Sequence, residues 1–269
     1  MAVAPQGAAR RLTGRTQFSP VLSMQTQRHD AIDALRGFAL VWMTAFHFCF
    51  DLNYFGYLHQ DFHNDLLWTT QRTVILSLFL FCAGLGQSVA AAQGLDSARF
   101  WHRWWQVALA ALVVSFGSWL MFPRSFIYFG VLHGITLMLI VARLSARWRA
   151  RRLSWLGVLA IVAWLLGAWL LPGGGAEALF NSRWLNWLGL ITRKPITEDY
   201  VPLLPWLAVV WWGMAAGQWL QARHPGVLSW RPGQLGQRLA VLGRWSLSYY
   251  LLHQPVLLAA LLLARRALI

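Results

Sequence analysis

The sequence predicts an all-α, polytopic transmembrane helix bundle of about seven spans, and three observations predict it. Of the 269 residues, 58% are hydrophobic and only 12% are charged, whereas a soluble domain carries about 25% charged residues to hold its surface in water. There are 18 Trp, many near the ends of apolar runs, where indole rings favour the membrane interface. Seven stretches approach the roughly 20 apolar residues that a spanning helix needs.

Those stretches are 32–52, 72–93, 104–122, 126–144, 153–171, 203–221 and 245–264. The first is the least apolar at its start, where Asp30, Asp33 and Arg36 lie. Region 172–202 leaves room for a re-entrant or eighth element around Trp184–Ile191. Gly173, Gly174 and Gly175 follow Pro172 directly after a span, which marks a helix stop and a flexible external loop. They are not a phosphate cradle, which needs a helix immediately after it. Gly84 and Gly86 in the second span are read as sites of close helix packing. No repeat of roughly 20–50 residues is visible, which disfavours a solenoid or an inverted-repeat transporter.

The net charge is +14, and every basic residue except Lys194 is Arg. These arginines sit between apolar runs and form no continuous face, so no nucleic-acid partner is expected. The charge is read as topology and attraction to anionic lipid, with room for an anionic ligand. Arg10, Arg11, Arg15 and Arg28 precede the first span, and Arg99 and Arg103 lie between the second and third. Arg143, Arg147, Arg149, Arg151 and Arg152 lie between the fourth and fifth, and Arg223, Arg231, Arg238 and Arg244 before the last. The alternate loops are poorer. Positive-inside placement therefore puts the N-terminus in the cytoplasm and, with seven spans, the C-terminus outside. Arg265 and Arg266 at that outer end run against the pattern.

Residues 1–27 hold arginines and no acids. That composition is shared with transit peptides, but no apolar core segment is present. The preferred division is a disordered basic cytoplasmic tail over 1–27 and one transmembrane domain over 28–269. Met24 offers an alternative start. Cys49 and Cys82 lie inside apolar runs and are read as small buried hydrophobes. No metal-binding spacing of Cys and His occurs, and no metal is expected.

Charge at membrane depth is costly and marks function, and the first span carries most of it. Asp33 and Arg36 are three apart and can pair on one helix face. His47 lies eleven residues beyond Arg36, about three turns or roughly 16 Å along the same face. Asp51 is four beyond His47, and its carboxylate could hold an imidazole nitrogen and fix the tautomer. The stripe thus runs from Asp33 and Arg36 at one end to His47 and Asp51 at the other. The bland alternative is an N-terminal cap pair plus a satisfied core histidine. His59, Asp61, His63 and Asp65 follow in a loop, where solvation is the ordinary reading. Arg72 opens the second span as a snorkelling anchor or an anion contact. His133 and His253, deeper in the chain, would join a shared polar cavity. Pro255 would kink the last span and free nearby carbonyls.

Four segments carry a resemblance. The run from Arg28 to His47, with Asp33, Arg36-Gly37 and then His47 after ten intervening residues, resembles the first span of transmembrane acyltransferases. Phe79–Leu85, Gly130–Ile135 and Gly243–Pro255 look like the bacterial DUF1624 proteins, which are similar to the catalytic part of heparan-α-glucosaminide N-acetyltransferase. The resemblance covers Arg28 to the C-terminus. It implies a multi-pass protein of the cell inner membrane that moves an acyl group, acetyl first, from cytoplasmic acetyl-CoA or another acyl-CoA to a glycan or other envelope acceptor outside. It implies Arg36 and His47 as the essential pair by one comparison and His63 as the catalytic histidine by the other. Asp51 is placed with them. Arg36, Asp33, Arg72, His133 and His253 are placed as contacts for the acyl-CoA. The chain lacks the long lumenal domain of the lysosomal enzyme, which puts a heparan substrate in doubt.

Two other functional classes fit the same polar residues. One is a proton-linked transporter or exporter of a glycan or lipid precursor. The other is a non-catalytic assembly protein whose polar groups glue helices together. A homodimer is allowed and not required.

Overall fold

A computed structural model describes residues 29–94, 96–230 and 232–267. The basic tail 1–27, Met24, Arg28 and Arg231 lie outside the described residues. Ten α-helices and one short 3₁₀ turn make up the described chain, with no strand beyond a single bridge between Phe129 and Tyr200.

Each of the seven apolar stretches is a helix: α1 (Asp30–Tyr54), α2 (Leu66–Ala92), α3 (Ser97–Met121), α4 (Val131–Ser145), α5 (Ala150–Leu170), α7 (Leu207–Arg223) and α10 (Ser246–Ala267). Five of them, α1, α2, α3, α5 and α10, are long and apolar enough to cross a membrane. The remaining two are shorter than expected. α4 has 15 residues and α7 has 17, about 22 and 26 Å at 1.5 Å per residue, against a hydrocarbon core of roughly 30 Å.

Ordered irregular chain continues both short helices on the side of the α1 C-terminus. Glu198 N donates to Ser125 O (2.9 Å), Val201 N to Phe129 O (3.2 Å), and Leu203 N to Trp187 O (2.8 Å). Irregular backbone at membrane depth is tolerated where protein satisfies its polar groups. No eighth spanning helix forms in 172–202. That region holds α6 (Glu177–Asn181) and the 3₁₀ turn Asn186–Leu188.

The stretch before α10, which reads as a loop in sequence, is also helical: α8 (Pro225–Leu228) and α9 (Gln234–Arg244). α9 lies antiparallel along the first half of α1. A Cβ on Gly37 would strike the Leu239 carbonyl oxygen, and one on Gly243 would strike the Asp33 carbonyl oxygen. Only glycines allow the two backbones so close. Arg244 Nη2 then reaches Asp30 Oδ1 (2.6 Å) and its Nε faces Asp33 Oδ2 (3.8 Å). His29 Nδ1 donates to Leu228 O (2.9 Å), which fastens α8 to the same end.

The second tight seam joins α2 to α7. Cβ atoms on Gly84 and Gly213 would collide with the carbonyl oxygens of Val210 and Phe81, and one on Gly217 with the Ser88 hydroxyl. Gly213 and Gly217 form the small-xxx-small spacing that lets membrane helices approach closely. Gly86 does not share this role, since a Cβ there meets nothing within 4 Å. The largest core cluster fills the space between α2, α4, α5 and α7, with Leu80, Met138, Leu153 and Met214 at its centre. Leu112, Phe116, Leu159, Trp169, Leu252 and Val256 are exposed on α3, α5 and α10, as lipid-facing surfaces are in a polytopic bundle. Cys49 and Cys82 are free thiols.

The contrast between the α2 glycines is a test. Gly84→Ala is expected to lower stability by about 1–3 kcal/mol through overpacking. Gly86→Ala, in open space on the same helix, is expected to leave stability unchanged or slightly raised. Thermal unfolding of the detergent-solubilised protein reads the difference.

Candidate active site

The polar residues of α1 divide into two groups, one near each end of the helix. At the N-terminal end, buried Asp33 stands between two guanidinium groups. Arg36 Nη1 donates to Asp33 Oδ1 (3.0 Å), and Arg244 approaches the other oxygen. The expected i,i+3 pair is therefore present, and Arg244 extends it into a clamp that holds α9 against α1. The sequence signal for Arg244 is its place at the end of the short amphipathic segment 234–244. One of the five Arg36 donors is committed to Asp33.

At the C-terminal end, α1 meets α10, which runs parallel to it. Tyr249 OH lies 2.7 Å from Thr44 Oγ1, and His47 Nδ1 lies 2.7 Å from His253 Nε2. The two imidazole rings are nearly parallel, at 15°, with centroids 4.9 Å apart. His253 Nδ1 contacts the Tyr250 carbonyl oxygen at 2.7 Å. Pro255 lies two residues on and lacks an amide hydrogen, so the α10 backbone ladder is already interrupted at this turn.

Hydrogen-bond chemistry assigns the protons. A carbonyl oxygen only accepts, so His253 Nδ1 carries a hydrogen and, in the neutral ring, its Nε2 accepts. His47 Nδ1 must then donate, which leaves His47 Nε2 with a lone pair. The pair thus forms a directed chain in which His253 fixes the tautomer of His47.

Asp51 does not fill the orienting role expected of it. Its Oδ1 accepts from Gln254 Nε2 (2.7 Å), and its buried Oδ2 has no protein partner. The i,i+4 spacing permits contact with His47, but α10 offers His253 to the imidazole and Gln254 to the carboxylate. Gln254 Oε1 and Trp68 Nε1 are likewise buried without a hydrogen-bond partner. Buried polar atoms are nearly always satisfied, so these three atoms are exceptions, all of them shielded within the packed protein. Tyr249, Gln254 and Trp68 are the participants that sequence reasoning missed; the first two fall in the motif around His253.

The other histidines do not converge here. His133 Nδ1 accepts from Gly130 N (3.2 Å), and its Nε2 contacts Ser115 Oγ (3.0 Å), which donates onward to Ile127 O (2.7 Å). Both nitrogens are used in tying the start of α4 to α3, so His133 stands in its own structural network. His63 is exposed on the 55–65 loop, at the same end as His47 but outside the pair. Its neighbour Phe62 anchors the loop in a buried aromatic cluster with Phe46, Phe50 and Trp68. Asp65 caps α2 by accepting from Leu67 N (2.8 Å). Arg72 is exposed on the first turns of α2, within electrostatic reach of Asp199. Burial raises the Asp199 carboxyl above the ordinary carboxylate range, opposed by the hydrogen bond from Val131 N and by the charges of Lys194 and Arg72. Among the described residues, no group of three or more His, Cys, Asp or Glu side chains is placed to hold a metal ion.

Residues 28–255 match the family described as heparan-alpha-glucosaminide N-acetyltransferase, catalytic. The chain belongs to this family. Its match runs from before α1 to Pro255 and so takes in both histidines of the pair. The chain has no significant match among curated proteins and none among solved structures. Membership makes it a membrane protein of an acetyltransferase family, in agreement with the apolar helices.

The turn that presents His63 has a readable pH dependence. Hydrogen bonds from the Asn64 side chain, the Asn64 amide and the His63 amide hold the Asp61 carboxyl below its usual range. Asp61 is therefore easier to ionise in the folded turn than in an unfolded one. Its contribution is full above the unfolded value of about 3.9 and is lost as pH falls below it. The protection factors of the 61–65 amides, taken against intrinsic exchange at each pH, are expected to fall on acidification through that range, and Asp61→Asn is expected to flatten the dependence.

Proposed function

We propose that the chain is an integral membrane acyltransferase. It moves an acyl group, acetyl first, from cytoplasmic acyl-CoA to a hydroxyl or amine of a sugar or glycan acceptor at the outer face of the cell inner membrane. The observation that carries this reading is the His47–His253 pair, which leaves a lone pair on His47 Nε2 inside the membrane domain of an acetyltransferase family.

The chemistry follows from that lone pair. His47 Nε2 accepts the proton of the acceptor O–H or N–H as that atom attacks the thioester carbonyl. The C–S bond breaks, the acyl group stays on the acceptor, and the departing CoA thiolate takes the proton back from His47. His253 stabilises the transient imidazolium through its Nε2 and keeps the ring oriented. An imidazole suits this work because its neutral ring has one nitrogen lone pair to accept a proton and one N–H for a neighbour to hold.

The N-terminal end of α1 takes the nucleotide part of the donor in this reading. Arg36 lies roughly 16 Å from His47 along the helix, a separation suited to an extended pantetheine arm. Guanidinium groups recognise phosphate bidentately. Because Arg36 is also bound to Asp33, phosphate shares it with the clamp and does not displace it. Arg99 and Arg103, at the same end, add charge.

Membrane vesicles with labelled acetyl-CoA and envelope glycans test the assignment. His47→Ala is expected to lower transfer by about 10²–10⁴-fold, the usual contribution of a positioned base. His253→Ala is expected to cost less and to shift the pH profile, because it removes the tautomer lock and not the base. If His47→Ala and His63→Ala both leave labelling intact, the enzyme reading fails. Uptake driven by a pH gradient without acyl-CoA would favour a transporter.

A further inference from the structure

We infer that the α4–α5 turn and the first turns of α5 form a binding site for one anionic phospholipid at the arginine-rich end of the bundle. An open groove of about 350 Å³ lies there, lined by Trp148, Arg151, Arg152, Trp155, Leu156 and Leu159. The lining is ordered by depth. Trp148, Arg151 and Arg152 stand at the helix start, and Trp155, Leu156 and Leu159 follow one and two turns along α5. A headgroup and the first part of two acyl chains have the same polar-then-apolar sequence.

Charge selects the headgroup. No Asp or Glu occurs between Asp96 and Glu177, while Arg147, Arg149, Arg151 and Arg152 crowd the turn. Among the described residues none of these four makes an ion pair with a carboxylate. Four exposed guanidinium groups without counter-charge attract phosphate strongly, and each basic residue near a membrane surface adds measurably to anionic-lipid affinity. Arg151 and Arg152 are the two that line the groove.

The apolar part selects a lipid over a free anion. Trp155 and Leu159 are 61% and 58% exposed, and they lie on the outward face of α5, away from α7. Indole rings at this level pack against acyl chains while staying near the headgroup region. The turn and the start of α5 are tied to α7: Trp148 O accepts from Gln218 Nε2 (2.8 Å), and Trp212 Nε1 donates to Ser154 O (3.2 Å). A preformed groove loses little freedom when a lipid settles into it.

Native mass spectrometry of the full chain, released from nanodiscs of equal phosphatidylglycerol and phosphatidylcholine, tests the site. The expected result is one phosphatidylglycerol retained in preference to phosphatidylcholine. Arg151→Gln with Arg152→Gln is expected to lower that retention about tenfold. Arg183→Gln with Arg193→Gln, at the opposite end, is expected to leave it unchanged. Trp155→Ala with Leu159→Ala, which keeps both arginines, is expected to lower it several-fold and decides the matter if the arginine variant does not fold. Equal retention of the two lipids, or wild-type retention by both groove variants, overturns the proposal. So does displacement of the lipid by coenzyme A or inorganic phosphate, which would make the groove a site for a free anion.

Discussion

The contact between α9 and α1 is the constraint on which the rest of the site depends. Two glycines, Gly37 and Gly243, let the backbones meet where any side chain would intervene. Arg244 closes the contact on Asp30 and Asp33. α10 begins two residues later, so its starting point is fixed against α1 by this clamp. Tyr249, His253 and Gln254 then fall opposite Thr44, His47 and Asp51 in order. A shift of α9 along α1 would move all three pairings together. The ion pairs at one end of α1 thereby set the register of the histidines at the other.

This coupling gives Asp33 and Arg36 a structural duty beside any catalytic one. Breaking a buried ion pair leaves an uncompensated charge, which is commonly more damaging than the pair is stabilising. A variant at Arg36 therefore disturbs helix placement as well as any part the residue has in the proposed donor site. His47 is cleaner. Its side chain contributes to the α1–α10 seam, but Thr44–Tyr249 and Asp51–Gln254 hold that seam on either side.

Much of this was legible in the sequence. Hydropathy located all seven apolar helices because lipid exposure demands a long apolar run. The stripe Asp33, Arg36, His47 and Asp51 follows from helical period alone. The partner of His47 was not legible. Local spacing favours Asp51 at i+4, but the ring instead meets His253, 206 positions away, and such tertiary contact overrides local geometry. α9 was hidden for a different reason. It has 11 residues with glycines and arginines among its leucines, so it lacks the sustained apolarity by which spans are found. The short lengths of α4 and α7 also escaped, because the chain before each is apolar enough to read as helix while folding as hydrogen-bonded loop.

The short α4 has a consequence for the surroundings of the histidine pair. Leu132, near its start, packs in one cluster with Tyr250 and Leu251 of α10. Asp199, which accepts from Val131 N, interacts electrostatically with Tyr250. His253 lies almost one turn further along α10, toward the loop side. On that flank the pair therefore stands beside hydrogen-bonded loop chain and not beside helix. The protein there supplies paired backbone amides and carbonyls where a full-length helix would present only side chains to the pair.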